Sequence, residues 1–198
     1  MSWTQPDGKG PRWIGDNLPD VPKKLQYAQD LPPKVTDKYV LFFGYDRPEP
    51  ECALQQWYPS PFKADGKEFH TAEQYMMYHK ALLMNDEEVA EKIAQADTPA
   101  KAKQLGREVK NFKQEIWDQM CDKVVEEGSY QKFKQNEKLG KILLRTGDRQ
   151  LVETSPNDRL WGIGFNSDEA EGNEDQWGEN KLGKALERAR ERLRREAA

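Results

Sequence analysis

Glu73 and Lys80 are charged residues on a helical face that is otherwise apolar. Within HTAEQYMMYHKALL (residues 70–83) they share the i, i+3, i+4, i+7 spacing of one face with Met76 and Met77. Seven residues span about two helical turns, roughly 10 Å of rise, in nearly the same direction. The long lysine side chain can therefore reach back toward the carboxylate. A buried Glu or Lys is costly unless it has a partner, so this face must satisfy two charges.

This spacing allows two interpretations of the Glu73–Lys80 pair. The pair can be a structural ion pair beneath the surface. Alternatively, it can be an acid–base pair in which burial lowers the lysine pKa and frees a neutral amine to act as a nucleophile. The spacing alone does not distinguish them.

A second polar segment, ETSPNDRLWGIGF (residues 153–165), combines candidate binding groups with glycines. Ser155 and Asp158 precede Trp161, and Gly162 lets the backbone approach a neighbour closely. A Gly-x-Gly pair by itself is weak evidence for phosphate binding, because the dinucleotide fingerprint needs a third glycine and a following helix. The alternative is a polar loop that leads into a core strand, with Trp161 as a core aromatic residue.

A third segment, LGREVKNF (residues 105–112), contains Arg107 and Asn111 close to a predicted helix end. Such groups can hold a phosphate or a ribose hydroxyl, although helix capping and solvation explain them nearly as well. Four tryptophans are candidates for stacking on a base, although most tryptophans simply pack in a core: Trp57, Trp117, Trp161 and Trp177.

The elements that position these residues follow from capping and periodicity. Thr71 with Gln74 predicts a capping box and a helix start, Thr98 with Pro99 predicts another helix start, and Gly106 is expected to end that helix. The remaining expectations are a helix from Asp86 through Ala94, helices at 113–127 and 130–144 and from Lys181, strands at 39–43, 151–153 and 161–165, and irregular chain or an edge strand at 57–62.

Composition sets the broad class. The chain has 198 residues, of which 36% are hydrophobic, and this is enough to form one core. Its net charge of −4 gives no overall positive charge that would favour nucleic-acid binding. Two cysteines and two histidines argue against a disulfide framework or a metal centre. We expect an α+β, mostly helical, single domain over 39–198 after an extended or disordered tail (1–38). No targeting or transmembrane segment is recognised, so a monomer without membrane contact in the cytoplasm or nucleus is expected.

The ordered set of motifs resembles the NADAR (NAD- and ADP-ribose-associated) domain family over roughly residues 41–193. The motifs are WYPSPF, TAEQYMMYHKA, LGREVKNF, the Lys132-Phe133 pair, LLRTGD, LVETSPNDRLWGIGF and WGENKLGKAL. That family includes N-glycosidases of riboflavin-biosynthesis intermediates and enzymes that remove ADP-ribose from guanine bases in nucleic acid. Two positions depart from the family pattern, Gln55-Gln56 before the WYP motif and Met120, and neither falls on the catalytic set.

The resemblance assigns roles to residues. It implies that Glu73 is the essential carboxylate, that Lys80 attacks the anomeric carbon, and that Asp158 and Trp161 line the same pocket. The other expected substrate-binding residues are Arg107, Asn111, Trp117, Ser155, Gly162 and Asn180.

The resemblance also implies a reaction. We expect a glycosidase without metal or other cofactor that removes ADP-ribose from guanine in DNA, RNA or a free nucleotide, through an imine on Lys80. The alternatives are a glycosidase for riboflavin intermediates and a non-catalytic ADP-ribose-binding module.

Overall fold

The computed structural model describes residues 31–197, so the predicted tail falls outside it as far as residue 30. By internal contacts the chain forms two compact units. The sheet unit contains residues 31–55 and 146–184, and the helical unit contains residues 56–145 and 185–197. In chain order the elements are β1 (Lys34–Val35), β2 (Tyr39–Phe42), β3 (Phe62–Ala64), β4 (Lys67–Phe69), α1 (Ala72–Leu83), α2 (Glu87–Ala94), α3 (Pro99–Arg107), α4 (Gln114–Gln135), α5 (Glu137–Arg145), β5 (Gln150–Glu153) and α6 (Lys181–Ala197).

Helix α1 begins where the sequence predicts, with one difference in the capping box. The Thr71 side chain accepts a hydrogen bond from the backbone N–H of Gln74, as expected. The Gln74 side-chain oxygen, however, accepts from the N–H of His70, at 2.8 Å, instead of from the N-cap itself. Its amide group also donates to the carbonyl oxygens of Ile93 and Ala96 near the end of α2. A buried glutamine therefore ties α1 to α2.

Helix α1 is the centre of the helical unit and packs against α2, α3 and α4. Asp86 caps α2 and Thr98 caps α3, as predicted. The expected break between 127 and 130 is wrong: α4 runs unbroken to Gln135. The helix ends instead at Asn136, whose side-chain amide donates to the carbonyl oxygen of Lys132.

Gly106 lies within the last turn of α3 and does not end the helix, contrary to the sequence prediction. Its function is close packing. A Cβ atom at this position would lie 2.2 Å from the Met77 sulfur and 3.0 Å from its Cγ, so a larger residue at this close approach of α3 to α1 would force the Met77 side chain to move.

The sheet unit is built on three strands in the order β1-β2-β5. The central strand β2 pairs antiparallel with β1 and parallel with β5. Leu41 and Val152 from adjacent strands bury their side chains against Ile163 and Ala170. Strand β1 lies within the segment 1–38 that the sequence assigns to a tail.

The predicted strand at 161–165 is wrong. Two of its amide groups form isolated hydrogen bonds with the end of β5 and the residues after it: Ile163 N–H donates to the Glu153 carbonyl oxygen and Gly164 N–H donates to that of Ser155, both at 3.0 Å. Gly164 has a φ of 77°, which takes the chain out of the extended conformation. The segment is therefore a folded turn.

The predicted α+β class, mostly helical with a few short strands, is confirmed. Within residues 31–197, none of the helices has the length and apolar character needed to cross a membrane.

Candidate active site

Glu73 lies in the first turn of α1 and is almost completely buried, with 3% of its surface exposed. Its carboxylate accepts a side-chain hydrogen bond from Trp57, while its Oε1 atom has no hydrogen-bond partner among the described residues. Burial raises the pKa of Glu73, and the positive charges of Lys103, Lys80 and Arg107 oppose that rise only in part. The result is a buried carboxyl group with a raised pKa and one oxygen without a hydrogen-bond partner.

Lys80 lies two turns further along α1 and is half-buried. Its ammonium donates to the carbonyl oxygen of Gly106 at 2.8 Å and lies 4.6 Å from the ring centroid of Phe112. Burial lowers the pKa of Lys80, the charge of Glu73 raises it, and Arg107 lowers it, with a net lowering. The close packing at Gly106 brings this carbonyl oxygen within reach of the lysine.

The two pKa shifts have a joint chemical consequence. A raised pKa on the acid and a lowered pKa on the amine both move the Glu73–Lys80 pair toward a protonated carboxyl group and a neutral amine. Those are the forms in which the carboxyl group can donate a proton and the amine can attack carbon. The structure thus places a carboxyl group with a raised pKa and an amine with a lowered pKa on one helical face.

Lys103 and Arg107 lie one turn apart on α3 and are exposed. The Lys103 ammonium is 5.6 Å from the ring centroid of Trp57. Across residues 31–197 neither cation forms an ion pair with a carboxylate, although both interact electrostatically with Glu73. Sequence analysis identified Arg107 but missed Lys103, whose signal was its i, i+4 spacing from that arginine.

The other predicted residues of the helical unit have different environments. Asn111 is exposed, with a φ of 54°, in the loop between α3 and α4. Trp117 is 8% exposed within α4 and belongs to the buried core. The structure therefore brings together Glu73, Lys80 and Arg107 electrostatically, and it places Trp117 as a packing residue.

Asp158 shapes the turn that follows β5 in the sheet unit. Its Oδ1 atom accepts the backbone N–H groups of Leu160 at 2.9 Å and Trp161 at 2.8 Å. A Cβ atom at Gly162 would lie 2.7 Å from the carbonyl oxygen of Glu153. This glycine therefore allows the turn to fold onto its own chain, and the close approach expected at Gly162 is an internal one.

Ser155 and Asn180 also support this turn. The carbonyl oxygen of Ser155 accepts from Gly164. The buried Asn180 side chain accepts from Glu153 N–H at 3.0 Å and donates to the Leu151 carbonyl oxygen at 2.8 Å. Asn180 thus fixes the start of α6 to β5, and the five sheet-unit residues of the prediction form a second group within that unit.

Lys132 is a buried lysine that sequence analysis noted only as part of a motif. It is 1% exposed, and its ammonium lies 5.0 Å from the Phe133 ring centroid and 5.7 Å from that of Tyr58. Burial lowers the pKa of Lys132 to about 7. Its place on a helix with mixed polarity gave no sign of this burial.

No group of three or more potential metal ligands occurs in residues 31–197.

The NADAR domain family model matches residues 42–194, a stretch that includes both groups of residues. The chain belongs to the NADAR family. It is 44% identical over 164 residues to "N-glycosidase R617" of Acanthamoeba polyphaga mimivirus, and the match covers 79% of this chain and 96% of that protein.

Two further comparisons extend this family relationship. "Protein irg-1" of Caenorhabditis elegans is 38% identical over 176 residues, covering 80% of this chain and 81% of that protein. The NMR structure of the Escherichia coli protein YbiA superposes with a TM-score of 0.68 at 28% identity, covering 86% of this chain and 93% of that one. The fold of this NADAR chain is therefore shared with a solved structure.

Proposed function

We propose that this NADAR protein is an N-glycosidase that removes ADP-ribose from guanine bases. The broader activity is supported by relatives named as N-glycosidases from a virus and from bacteria. The finer assignment rests on one observation: the buried carboxyl group of Glu73, with one oxygen lacking a hydrogen-bond partner, shares a helical face with Lys80. The pKa of Glu73 is raised and that of Lys80 is lowered, and both shifts favour the neutral forms.

The reaction breaks the bond between ribose C1 and a guanine nitrogen. As this bond lengthens, C1 gains oxocarbenium character and the nitrogen gains electrons. Protonated Glu73 gives its proton toward the departing base, and the resulting carboxylate stabilises the positive charge on C1. The buried environment of Glu73 strengthens that electrostatic effect, because the local dielectric constant is low.

Lys80 then forms a covalent intermediate. The neutral amine attacks C1, and its proton is lost to Glu73 or to solvent. The C1–ring oxygen bond breaks, the ring oxygen takes a proton, and an imine remains between C1 and Nζ. Water adds to the imine, the C–N bond breaks, and ADP-ribose leaves while the lysine regains its free amine.

Positive charge near the carboxyl group suits a phosphorylated substrate. Lys103 and Arg107 carry positive charges without ion-pair partners in the described part of the chain, so an anionic ligand would supply those partners. A local cationic surface of this kind does not require a basic protein. The diphosphate of ADP-ribose supplies the matching negative charge.

Turnover with an oligonucleotide that carries ADP-ribosyl-guanine, followed by mass spectrometry, tests this proposal. We expect wild type to release ADP-ribose, and Lys80→Ala and Glu73→Gln to lose most of the rate. Lys138→Ala provides the matched control, because Lys138 is an exposed lysine on α5.

The alternatives give different results in the same experiment. Binding of ADP-ribose without turnover, retained in Lys80→Ala, would support a binding module. Turnover of a phosphoribosyl-pyrimidine in place of ADP-ribosyl-guanine would support a riboflavin-intermediate glycosidase. The role predicted for Asp158 is tested by Asp158→Asn, which should lower turnover of whichever substrate wild type accepts.

A further inference from the structure

Phe112 is an aromatic side chain that the protein leaves in solvent beside the proposed nucleophile. It is 39% exposed, and in residues 31–197 the other exposed large hydrophobic residues are Val35 and Leu160, which are aliphatic. One side of its ring lies against the Lys80 ammonium. The proposed reaction gives Phe112 no role.

The loop that carries Phe112 is held in place on both sides of the ring. The backbone N–H of Lys110 donates to the buried Asp86 carboxylate at 2.8 Å. The backbone N–H of Lys113 contacts the sulfur of buried Met84 at 3.3 Å. These contacts hold the backbone on both sides of Phe112, so a flat ligand that contacts the ring would lose little free energy in ordering the loop.

The distance between Lys80 and the Phe112 ring can be compared with the space that the leaving base needs. Reacting atoms approach to about 3–3.5 Å before attack, and the leaving nitrogen lies one bond beyond the carbon that Lys80 attacks. The base attached to that nitrogen extends several atoms further. The Phe112 ring centroid lies 4.6 Å from Lys80 Nζ, a distance that a nucleobase attached to the reacting carbon can span.

We infer that Phe112 stacks on the leaving nucleobase and so selects substrates with a planar aromatic leaving group, an inference that rests on the proposed function. Stacking on an aromatic side chain needs a planar ring, which guanine and the other bases provide. The contact also excludes water from one side of the scissile bond. Phe112 is thus a substrate-specificity residue of the glycosidase.

A different role for Phe112 would be to hold the Lys80 ammonium by a cation–π contact alone. The two roles differ in what they require of the ligand. Stacking affects only substrates that still carry the base. Holding Lys80 affects every reaction of its amine, including imine formation with free ADP-ribose, whose C1 aldehyde lacks a leaving base.

The test compares these two reactions in Phe112→Ala and Phe112→Trp, with Val35→Ala as the matched control for truncating an exposed hydrophobic residue. We expect Phe112→Ala to lower kcat/KM for ADP-ribosyl-guanine by about fivefold to 150-fold, the loss that corresponds to one base–aromatic stack. We expect Phe112→Trp to restore it. Borohydride trapping of free ADP-ribose on Lys80 should proceed at the wild-type rate in all variants.

Two results would overturn the inference alone. One is wild-type kcat/KM in Phe112→Ala, and the other is a parallel loss of ADP-ribose trapping, which would assign the effect to Lys80. If wild type and Val35→Ala both fail to release ADP-ribose from ADP-ribosyl-guanine, the proposed function itself fails and the inference fails with it.

Discussion

Replacing Glu73 by glutamine should stabilise the protein at neutral pH while it removes activity. Burial raises the pKa of Glu73 above its value in the unfolded chain, so the native state binds the proton more tightly. A group of this kind contributes stability below its unfolded pKa of about 4.3, and that stability is lost as the pH rises through the folded pKa. Above the unfolded pKa, wild type therefore carries a cost that glutamine lacks, because the folded state must either hold a proton that the unfolded chain has released or bury a charge.

The size of the gain follows from the environment of the side chain. Glutamine places an amide nitrogen without a partner where Oε1 lay, so the gain comes from removing the ionisation. A tenfold tighter hold on the proton in the folded state costs wild type about 1.4 kcal/mol at a pH above both pKa values. The hydrogen bond from Trp57 survives in Glu73→Gln, because the amide oxygen accepts it. We expect a gain of about 1–3 kcal/mol at pH 7.5, which raises the Tm by about 2–4 °C for each kcal/mol in a chain of this size.

Thermal unfolding of both proteins from pH 4 to pH 8 measures this effect. The difference in Tm should be small near pH 4, where the carboxyl group is protonated, and should grow as the pH rises. Glu88→Gln is a control with the opposite sign, because hydrogen bonds from Lys92 and Lys110 lower the pKa of exposed Glu88 to about 2. A Glu73→Gln variant less stable than wild type at pH 7.5, or a difference that does not change with pH, would refute the reasoning.

Other substitutions test the remaining features. Lys132→Met should stabilise the protein increasingly as the pH falls from 10 to 7, because the pKa of Lys132 is lowered to about 7 and the folded state binds this proton less tightly than the unfolded chain. Chemical denaturation at both pH values measures the gain in stability, and a difference that is the same at both would contradict the prediction. Asn180→Ala should cost about 1–3 kcal/mol, because two buried backbone groups of β5 lose their partner; urea unfolding measures the loss, which should exceed that of Asn157→Ala at an exposed position. Gly106→Ala should destabilise by about 1–3 kcal/mol through overpacking against Met77, and the double variant with Met77→Ala should recover part of that loss; absence of any recovery would exclude the contact as the cause.

Local sequence signals predicted the elements that carry the active site. Thr71, Asp86 and Thr98 mark helix starts, because a side-chain oxygen can satisfy a free backbone N–H only at that position. The apolar spacing around Glu73 and Lys80 likewise showed that both share one face. These signals depend on residues close in sequence, so tertiary packing did not override them.

Long-range contacts account for the failures. Gly106 is a helix terminator by local rules, but its role is to clear the Met77 side chain on another helix. Residues 161–165 have strand propensity, yet single bonds to Glu153 and Ser155 fold them into a turn. Lys103 went unnoticed because its aromatic partner, Trp57, lies far away in sequence.

The most direct measurement is borohydride trapping during turnover of ADP-ribosyl-guanine, followed by peptide mass spectrometry. We expect one reduced ADP-ribose adduct, on the peptide that contains Lys80, in wild type and in Lys138→Ala, and we expect none in Lys80→Met. Turnover without any adduct, or an adduct on another lysine such as Lys132, would contradict the proposed role of Lys80 as the nucleophile.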